Sequence, residues 1–282
     1  MTPLYDRHRQ IVLEQEYIQK DETGYKVQSE DKTGTSHLGY LWAHRSPVHN
    51  LVLFGYPRNR SGQSMAEHLR DFRGKLQVDR YSAYEKLAAL PGMTLIECWA
   101  YARRKFEQAS KNEQKEADPV LNEIQELYQI ERQSKESHLN QDQRLQIRQE
   151  KSNEILNRIK SKPNELFMKN NLPGSTLGEA IAYTLKSWSP LCLYTQHGEV
   201  KIKNNLLEND IRPIALGRKK YCFAGSTPAP PDGESAQRAA LIYSFFATCK
   251  MQQINPTDWL LNVLLRIKEH HINKLDELLP QN

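Results

Sequence analysis

Three acidic side chains stand at positions from which they could share one site. Asp21 ends a short predicted strand, Asp79 lies at the tip of a later predicted strand, and Glu208 lies on a predicted helix. Carboxylates gathered in a small volume repel one another unless cations neutralise them, and Mg²⁺ or Mn²⁺ is the natural occupant. Two such ions about 3.5–4 Å apart catalyse displacement at a phosphodiester. Each residue could instead be an ordinary turn, cap or surface group, and Glu208 could pair with Arg212 one turn later.

Basic residues are concentrated around and after the glutamate. From residue 203 to residue 220 the basic side chains are Lys203, Arg212, Arg218, Lys219 and Lys220. Tyr221 and Phe223 follow directly, and basic groups beside aromatic rings suit phosphate contact and base stacking. A solvated helix face next to two core aromatics would give the same pattern. Arg103, Arg104 and Lys105 open a predicted helix after a strand and form a second candidate phosphate contact.

Composition narrows the class of protein further. Thirty-nine Lys and Arg residues against 34 Asp and Glu residues give a net charge of +5, a sign that suits a polyanionic partner. No run of 18 apolar residues occurs and the first ten residues form no apolar signal region, so we expect neither a membrane span nor secretion. The four cysteines are widely spaced without a CxxC motif, which disfavours a zinc site and fits a reducing cytoplasm. No HExxH, GxSxG or phosphate-binding glycine loop is present.

Apolar patterning in the first 107 residues predicts a mixed α/β region. The predicted order is three strands, a helix, a strand, a helix, a strand and a helix. The predicted strands cover residues 16–21, 37–45, 50–56, 75–81 and 93–100, and the predicted helices cover 64–72, 83–90 and 101–109. A turn is expected at residues 46–49 because they include Pro47, and Ser64 with Glu67 forms a predicted capping box.

The rest of the chain is predicted to be mainly helical. Residues 110–173 are rich in Glu, Lys, Gln and Asn with periodically spaced Leu and Ile, which predicts a solvated helical hairpin or a pair of long helices. A helix over residues 177–193, an extended segment over 198–203 and a helix over 204–216, interrupted at Pro213, follow. A proline-rich loop at residues 227–233 precedes two further helices, at 234–252 and 257–268.

Several motifs, in this order, resemble those of one family, the transposases of the bacterial insertion-sequence family numbered sixty-six. The segments that carry the resemblance are LVLFGYPRNRSG, FRGKLQVDRYSAYEKL, CWAYARRKF, NNLLENDIRPIALGRKKYCFAGS and INKLDELLP. The resemblance runs from Pro3 to Pro280, essentially the whole chain. Because the motifs keep the family's order and spacing, the resemblance is specific.

The resemblance implies a DDE-type catalytic domain with a ribonuclease H-like core. The family's first aspartate corresponds to Asp21 in Lys-Asp-Glu-Thr-Gly, its second to Asp79 in Leu-Gln-Val-Asp-Arg-Tyr, and its glutamate to Glu208 in Asn-Asn-Leu-Leu-Glu. These three residues would hold Mg²⁺ or Mn²⁺, as two ions. The implied fold class is α/β, a ribonuclease H-like mixed sheet with flanking helices, a helical insertion and a helical C-terminal element. The implied parts are the first part of the core (1–109), the insertion (110–175), the rest of the core (176–239) and the C-terminal element (240–282).

This chain departs from the family's motifs at four places. Tyr101 replaces a histidine, Asn209-Asp210 stands where an arginine is usual, Lys20 replaces a small residue, and Gly24 replaces a proline. Each change could weaken catalysis while leaving the fold intact. The family's upstream region with its DNA-recognition elements is absent from this sequence, which suggests a truncated copy or a separately encoded catalytic part.

The sequence therefore predicts a cytoplasmic, metal-dependent DNA strand-cleavage and strand-transfer domain. The expected partner is DNA, both transposon ends and target, with phosphates held by Arg212, Arg218, Lys219 and Lys220 and secondarily by Arg103 and Arg104. A homo-oligomer and separately encoded accessory proteins are further candidate partners, and no membrane is expected. Three alternatives stay open: a degenerate remnant that binds DNA without catalysis, an assembly module that needs a recognition subunit, and a cellular ribonuclease H-like nuclease.

Overall fold

The computed structural model describes most of the chain. The described residues are 1–28, 35–57, 62–79, 84, 87, 90–169, 174–217 and 234–280. Their contacts divide the chain into two compact units. The sheet unit comprises Met1–Gln77, Tyr81–Thr94 and Asn205–Asn282, and the helical unit comprises Val78–Arg80 and Leu95–Asn204. The prediction of four parts along the chain stays a prediction.

Five strands form one mixed sheet. They are β1 (Tyr17–Gln28), β2 (Ser36–Ser46), β3 (Leu51–Gly55), β4 (Gly74–Val78) and β5 (Met93–Glu97), in the order β3-β2-β1-β4-β5. Strands β1, β2 and β3 are antiparallel neighbours, whereas β4 runs parallel to β1. The predicted mixed sheet is confirmed. Strand β1 is seven residues longer than expected at its C-terminal end because it pairs with β2 as far as Gln28.

Helices of the sheet unit pack on this sheet and on one another. They are α1 (Thr2–Leu13), α2 (Gly62–His68), α9 (Asn205–Gly217), α10 (Glu234–Met251), α11 (Pro256–Arg266) and a 3₁₀ segment (Ile272–Leu278). One core cluster joins α9 and α10 to β2 and β3 through residues such as Leu207, Ile211 and Ala240. A second cluster joins α1, α10 and α11, with Trp259 and Val263 on the buried side of α11. Helix α1 is absent from the sequence-based prediction.

Side chains from two helices cover the outer edge of β3. The backbone N–H groups of Val52 and Phe54 donate to the hydroxyls of Thr248 (3.1 Å) and Ser244 (2.7 Å) on α10. His8 of α1 donates from Nε2 to the carbonyl of Val52 (2.9 Å). In other sheets, unpaired backbone N–H and C=O groups of an edge strand can pair with another chain and cause aggregation. In this protein, hydrogen bonds from within the chain occupy these groups of β3.

The helical unit contains the block predicted between residues 110 and 173. Its helices are α3 (Trp99–Ser110), α4 (Gln114–Glu136), α5 (Gln141–Ile147), α6 (Asn153–Lys169), α7 (Thr176–Lys186) and α8 (Trp188–Cys192), with a π-helical turn (Arg148–Ser152) and a 3₁₀ segment (Leu193–Gln196). Fully buried Arg148 binds both carboxylate oxygens of Glu131 at 2.6 Å. Its guanidinium also donates to the carbonyls of Tyr194, His197 and Val200. Arg148 thereby fixes the segment that leads back towards α9.

Some local predictions differ from the structure. Helix α2 begins at Gly62, so Ser64 lies inside the helix and the capping-box prediction is wrong. Helix α9 continues through Pro213 instead of breaking there. Residues 198–203 form no strand; Val200 and Ile202 alternate in burial within irregular backbone. The predicted loop at 227–233 and most of the predicted helix at 83–90 lie outside the described residues.

Candidate functional site

Asp21 lies in the middle of β1, on the sheet face that α9 covers. Its register partner on β2 is Ala43, and directly opposed residues of an antiparallel pair share a face. Ala43 belongs to the core cluster that contains Leu207 and Ile211 of α9. The Asp21 carboxylate is half-buried and accepts a hydrogen bond from the backbone N–H of Glu22 at 2.8 Å.

Glu208 lies in the first turn of α9, within the same unit as Asp21. The helix packs against both β1 and β2. Leu207, Ile211 and Ile214 are buried on this contact, whereas Glu208 is half-buried. The structure therefore places two of the three candidate carboxylates on elements that contact each other.

Asp79 directly follows the last residue of β4 and is half-buried. The parallel pairing of β1 with β4 extends to Gln19 opposite Gln77. A buried network fixes this register, because Gln77 Oε1 accepts from Tyr17 Oη (2.6 Å) and Gln19 Nε2 (2.7 Å). Asp21 and Asp79 each follow the paired glutamine of their own strand by two residues. By contacts, Asp79 belongs to the helical unit.

Among the residues that the structure describes, no group of three or more His, Cys, Asp or Glu side chains is arranged to hold a metal ion. That part of the chain includes Asp21, Asp79 and Glu208. The chemistry of this donor set nonetheless fits a hard divalent cation, because Mg²⁺ is usually held by few carboxylates together with water and substrate phosphates.

The carboxylate of Asp210, two residues after Glu208, is occupied by an ion pair. It points into the sheet unit and forms an ion pair with Nη1 of Arg45 at 2.5 Å, and both side chains are about 95% buried. Burial raises the pKa of Asp210, and the Arg45 guanidinium acts against this shift. The expected charge effect of Asp210 on a metal site is therefore offset by Arg45. Sequence reasoning missed Arg45 because 165 residues separate the partners and no local pattern links them.

Lys20, another departure from the family's motifs, lies on the opposite sheet face from Asp21, because alternate residues of a strand face opposite sides. Its side chain is fully buried, with Nζ 4.2 Å from the ring centre of Trp42 and 5.0 Å from that of Tyr84. Nζ also lies 3.3 Å from the Tyr84 hydroxyl, which in turn donates to Glu22. Lys20 is thus a core cation held between aromatic rings.

The basic residues predicted to contact DNA have different environments. Arg212 is exposed on α9. On α3, Arg103 pairs with Glu107 at 2.6 Å, whereas exposed Arg104 lies over the ring of Tyr101 at 4.8 Å. Tyr101 therefore provides an aromatic surface for Arg104 where the family's motif has a histidine. Three further predicted contacts, Arg218, Lys219 and Lys220, lie outside the described residues.

A cavity of about 650 Å³ lies beside α9 and α10 in the sheet unit. Phe54, Asp210, Tyr243, Phe246 and Lys250 contribute to its lining, whereas neither Asp21 nor Glu208 does. Local sequence patterns could not predict this cavity, because its lining comes from residues far apart along the chain. It is separate from the candidate carboxylates.

Sheet, flanking helices and carboxylate positions together define an α/β protein whose candidate site is acidic. Residues 1–230 match the family described as Transposase IS66 family, and residues 244–281 match the IS66 C-terminal element. The chain belongs to the IS66 transposase family, and the resemblance noted in the sequence is confirmed.

Similar proteins occur in Sinorhizobium fredii (strain NBRC 101917 / NGR234). Uncharacterized protein y4hP is 30% identical over 99% of this chain and 53% of its own length. Uncharacterized protein y4jD is 30% identical over 100% of this chain and 56% of its own length, and y4qI is 32% identical over 89% and 48%. The chain spans about half the length of these relatives. No solved structure matches the chain.

The structure also bears on the expectation of no membrane span. Within the described residues, no helix combines the length and apolar character needed to cross a bilayer.

Proposed function

We propose that this chain is the catalytic part of a DDE transposase, which cleaves DNA strands and transfers them to a target with the help of two divalent cations. The observation that carries the proposal is the contact between β1 and α9, with Asp21 on the covered sheet face and Glu208 in the first turn of the helix. A carboxylate on a strand and another on the helix packed over that strand supply two members of a three-carboxylate site. Asp79 is proposed as the third member.

The register of β1 and β4 supports the choice of Asp79. Gln19 and Gln77 are paired and hydrogen-bonded to each other, and each is followed two residues later by one of the aspartates. Residues two apart on a strand point to the same face. We propose on this basis that Asp79, like Asp21, is an active-site residue.

A ribonuclease H-like core is part of the same proposal. Its support is the element order of three antiparallel strands, a helix, a strand parallel to β1 and a last strand followed by α3. The sequence predicts this order with one further helix between the last two strands, at residues 83–90, most of which lie outside the described residues. The later return of the chain to the sheet unit at Asn205 brings the glutamate helix onto that sheet.

Asp21, Asp79 and Glu208 would hold Mg²⁺ or Mn²⁺. When bound, two such ions supply Lewis-acid activation of the attacking hydroxyl and charge neutralisation at the scissile phosphate. The chain's own contribution is to orient the carboxylates: the Glu22 N–H fixes Asp21, and Arg45 takes up the charge of Asp210.

Exposed basic groups would hold the DNA backbone. Arg212 lies one turn after Glu208 on α9, so it is placed to bind a phosphate next to the carboxylates. Arg218, Lys219 and Lys220 follow it in sequence and are proposed to continue this contact. Arg104 is a secondary candidate, and Arg103 would first have to exchange its bond to Glu107.

Metal binding gives the most direct test. We expect calorimetric titration with Mn²⁺, in the presence of a DNA duplex, to show binding by the wild type that is lost in Asp21→Asn, Asp79→Asn and Glu208→Gln. Asp71→Asn removes a carboxylate that is 62% exposed on the protein surface and should bind metal as the wild type does. Equal binding by all five proteins would contradict the proposed site.

Strand cleavage distinguishes the proposed enzyme from its alternatives. We expect Mn²⁺-dependent nicking of duplex DNA by the wild type and background activity in the three carboxylate variants. DNA binding without nicking, also in the presence of the part of the longer relatives that this chain does not cover, would select a degenerate remnant. Activity that appears only with a separately encoded recognition subunit would select the assembly module. Preferential cleavage of RNA–DNA hybrids would select a cellular nuclease.

A further inference from the structure

Helix α11 is apolar on two sides. Trp259 and Val263 are buried against α1 and α10, as expected for an amphipathic helix. Leu261, Leu264 and Leu265 are instead 58%, 55% and 76% exposed. Residues three and four apart lie on one face of a helix, so these leucines form a single exposed stripe. Adjoining apolar side chains that remain in solvent usually mark an interaction surface.

Two opposite charges bracket this stripe. Asp258 lies three residues before Leu261, and Lys268 lies three residues after Leu265. Both charged residues are exposed, and the structure records no ion pair between either of them and another described residue. The resulting pattern, Asp-x-x-Leu-x-x-x-Leu-x-x-Lys, reads the same in reverse except that the two charges exchange places.

We propose that the α11 stripe is a self-association surface that binds a second copy of this chain, with the two helices antiparallel across a two-fold axis. In an antiparallel pair whose two-fold axis lies at the level of Val263 along the helix, Leu261 faces Leu265 of the second copy. Asp258 then faces Lys268 of the second copy. The two-fold axis repeats both contacts, as an isologous interface requires. Asp258 lies in the first turn of α11 and Lys268 lies in the turn that follows its last residue, Arg266, so each end of one stripe meets the opposite charge on the other.

Charge complementarity favours a second copy over other occupants. DNA would require an excess of positive charge on the stripe, but its two bracketing charges cancel. An unrelated amphipathic helix could cover the leucines but would have no reason to match the spacing of the two charges. The proposal rests on α11 and the turn after it and does not depend on the catalytic proposal, so either one can fail without the other.

Sedimentation of the full chain over a range of concentrations tests the surface. We expect reversible dimerisation that is independent of metal and DNA. Leu265→Glu should raise the dissociation constant of the dimer at least tenfold without unfolding the chain, because the side chain is already 76% exposed. Leu38→Glu changes an equally apolar residue that is 59% exposed on β2, and should leave dimerisation unchanged. A monomer at all concentrations, or equal effects of both variants, would overturn the proposal.

Charge exchange tests the antiparallel register specifically. Asp258→Lys places two Lys–Lys contacts in the homodimer, and Lys268→Asp places two Asp–Asp contacts there, so each variant alone should be weakened. Mixing the two variants restores opposite charges at both contacts, and we expect a heterodimer of wild-type strength. The double variant should form wild-type homodimers as well. A mixture that remains monomeric, while the wild type dimerises, would rule out this register.

Discussion

Arg45 and Asp210 show how a charged residue next to a candidate active-site residue can serve the fold instead. Both side chains are buried, and the carboxylate accepts from the guanidinium at 2.5 Å. Removing one partner of such a pair leaves an uncompensated buried charge, whereas replacing both by apolar side chains removes the desolvation cost as well. Asp210 is therefore expected to matter for stability and not for metal binding.

We predict that Arg45→Met lowers the free energy of unfolding by about 3–5 kcal/mol, because it leaves the Asp210 carboxylate buried without its cation. The double variant Arg45→Met with Asp210→Leu should recover most of this loss. Urea denaturation of both variants beside the wild type measures the difference.

Metal titration of a third variant separates stability from function. Asp210→Asn should bind Mn²⁺ as tightly as the wild type, in contrast to Asp79→Asn. A loss of metal affinity in Asp210→Asn would mean that this carboxylate reaches the metal site after all.

At the scale of single elements, β3 depends on α10. The hydroxyls of Ser244 and Thr248 accept from two backbone N–H groups that no neighbouring strand can reach, because β3 is the edge of the sheet. A buried donor left without an acceptor costs more than an average hydrogen bond contributes. Loss of either hydroxyl should therefore lower the free energy of unfolding by more than the loss of an average hydrogen bond.

We predict that Thr248→Val lowers the free energy of unfolding by about 1–3 kcal/mol, because it keeps the side-chain shape but leaves the Val52 N–H unsatisfied. Thr184→Val is the matched control. Thr184 is also buried, but its hydroxyl only donates to the carbonyl of Ala180 in its own helix. Equal losses in the two variants, measured by denaturant unfolding, would show that the strand edge has no special role.

Elements with clear periodicity could be predicted from the sequence, whereas those built on buried polar residues could not. Strand β3 reads as a continuous apolar run and was placed correctly. Helix α1 is absent from the sequence-based prediction because its buried face includes His8, which counts as polar in a pattern of apolar and polar residues. The alternation of Val200 and Ile202 predicts an extended segment, but in the structure it reflects burial of irregular backbone that is held by Arg148 and Trp99.

The candidate site shows the same division. Asp21, Asp79 and Glu208 could be chosen from their positions and from motif resemblance, because both signals are local. The environments of the neighbouring residues Asp210 and Lys20 could not be predicted. Arg45 and Tyr84 are distant from them in the sequence and contact them only in the folded chain. Pro213 predicts a break in α9, because proline lacks the N–H that a helix interior requires. The helix continues through Pro213, because the packing of Ile211 and Ile214 outweighs this cost.

At the scale of the whole molecule, desolvation favours the neutral form of three histidines in the sheet unit, the buried His8 and His44 and the half-buried His68. Burial lowers the pKa of His8 to about 4 and that of His68 to about 3, and it lowers the pKa of His44 well below its ordinary value. The unfolded chain binds protons on these residues below about pH 6.5, whereas the folded chain does not. Their contribution to stability is therefore complete above pH 6.5 and is lost as the pH falls towards the folded-state values.

We predict that between pH 6.5 and pH 5 each of these histidines reduces the free energy of unfolding by up to about 1.4 kcal/mol per pH unit, the slope approached once the unfolded histidine is fully protonated. His68→Gln should remove one such contribution from the slope of stability against pH, whatever its effect at neutral pH. His271→Gln, which changes an exposed histidine, should leave the slope unchanged. Denaturant unfolding at a series of pH values gives the slopes, and a steep wild-type slope retained in His68→Gln would refute the prediction.

The two hydroxyls that complete the edge of β3 also set an order of events during synthesis. Ser244 is made 190 residues after Phe54. At about 5–20 residues per second, a ribosome needs roughly 10–40 s to cover that distance. The carbonyl of Val52 can be satisfied at once by His8, which is translated earlier, but the two amides must wait for α10. For that interval the nascent chain presents an open strand edge, so its yield of native protein should depend on the chaperones that meet it at the ribosome.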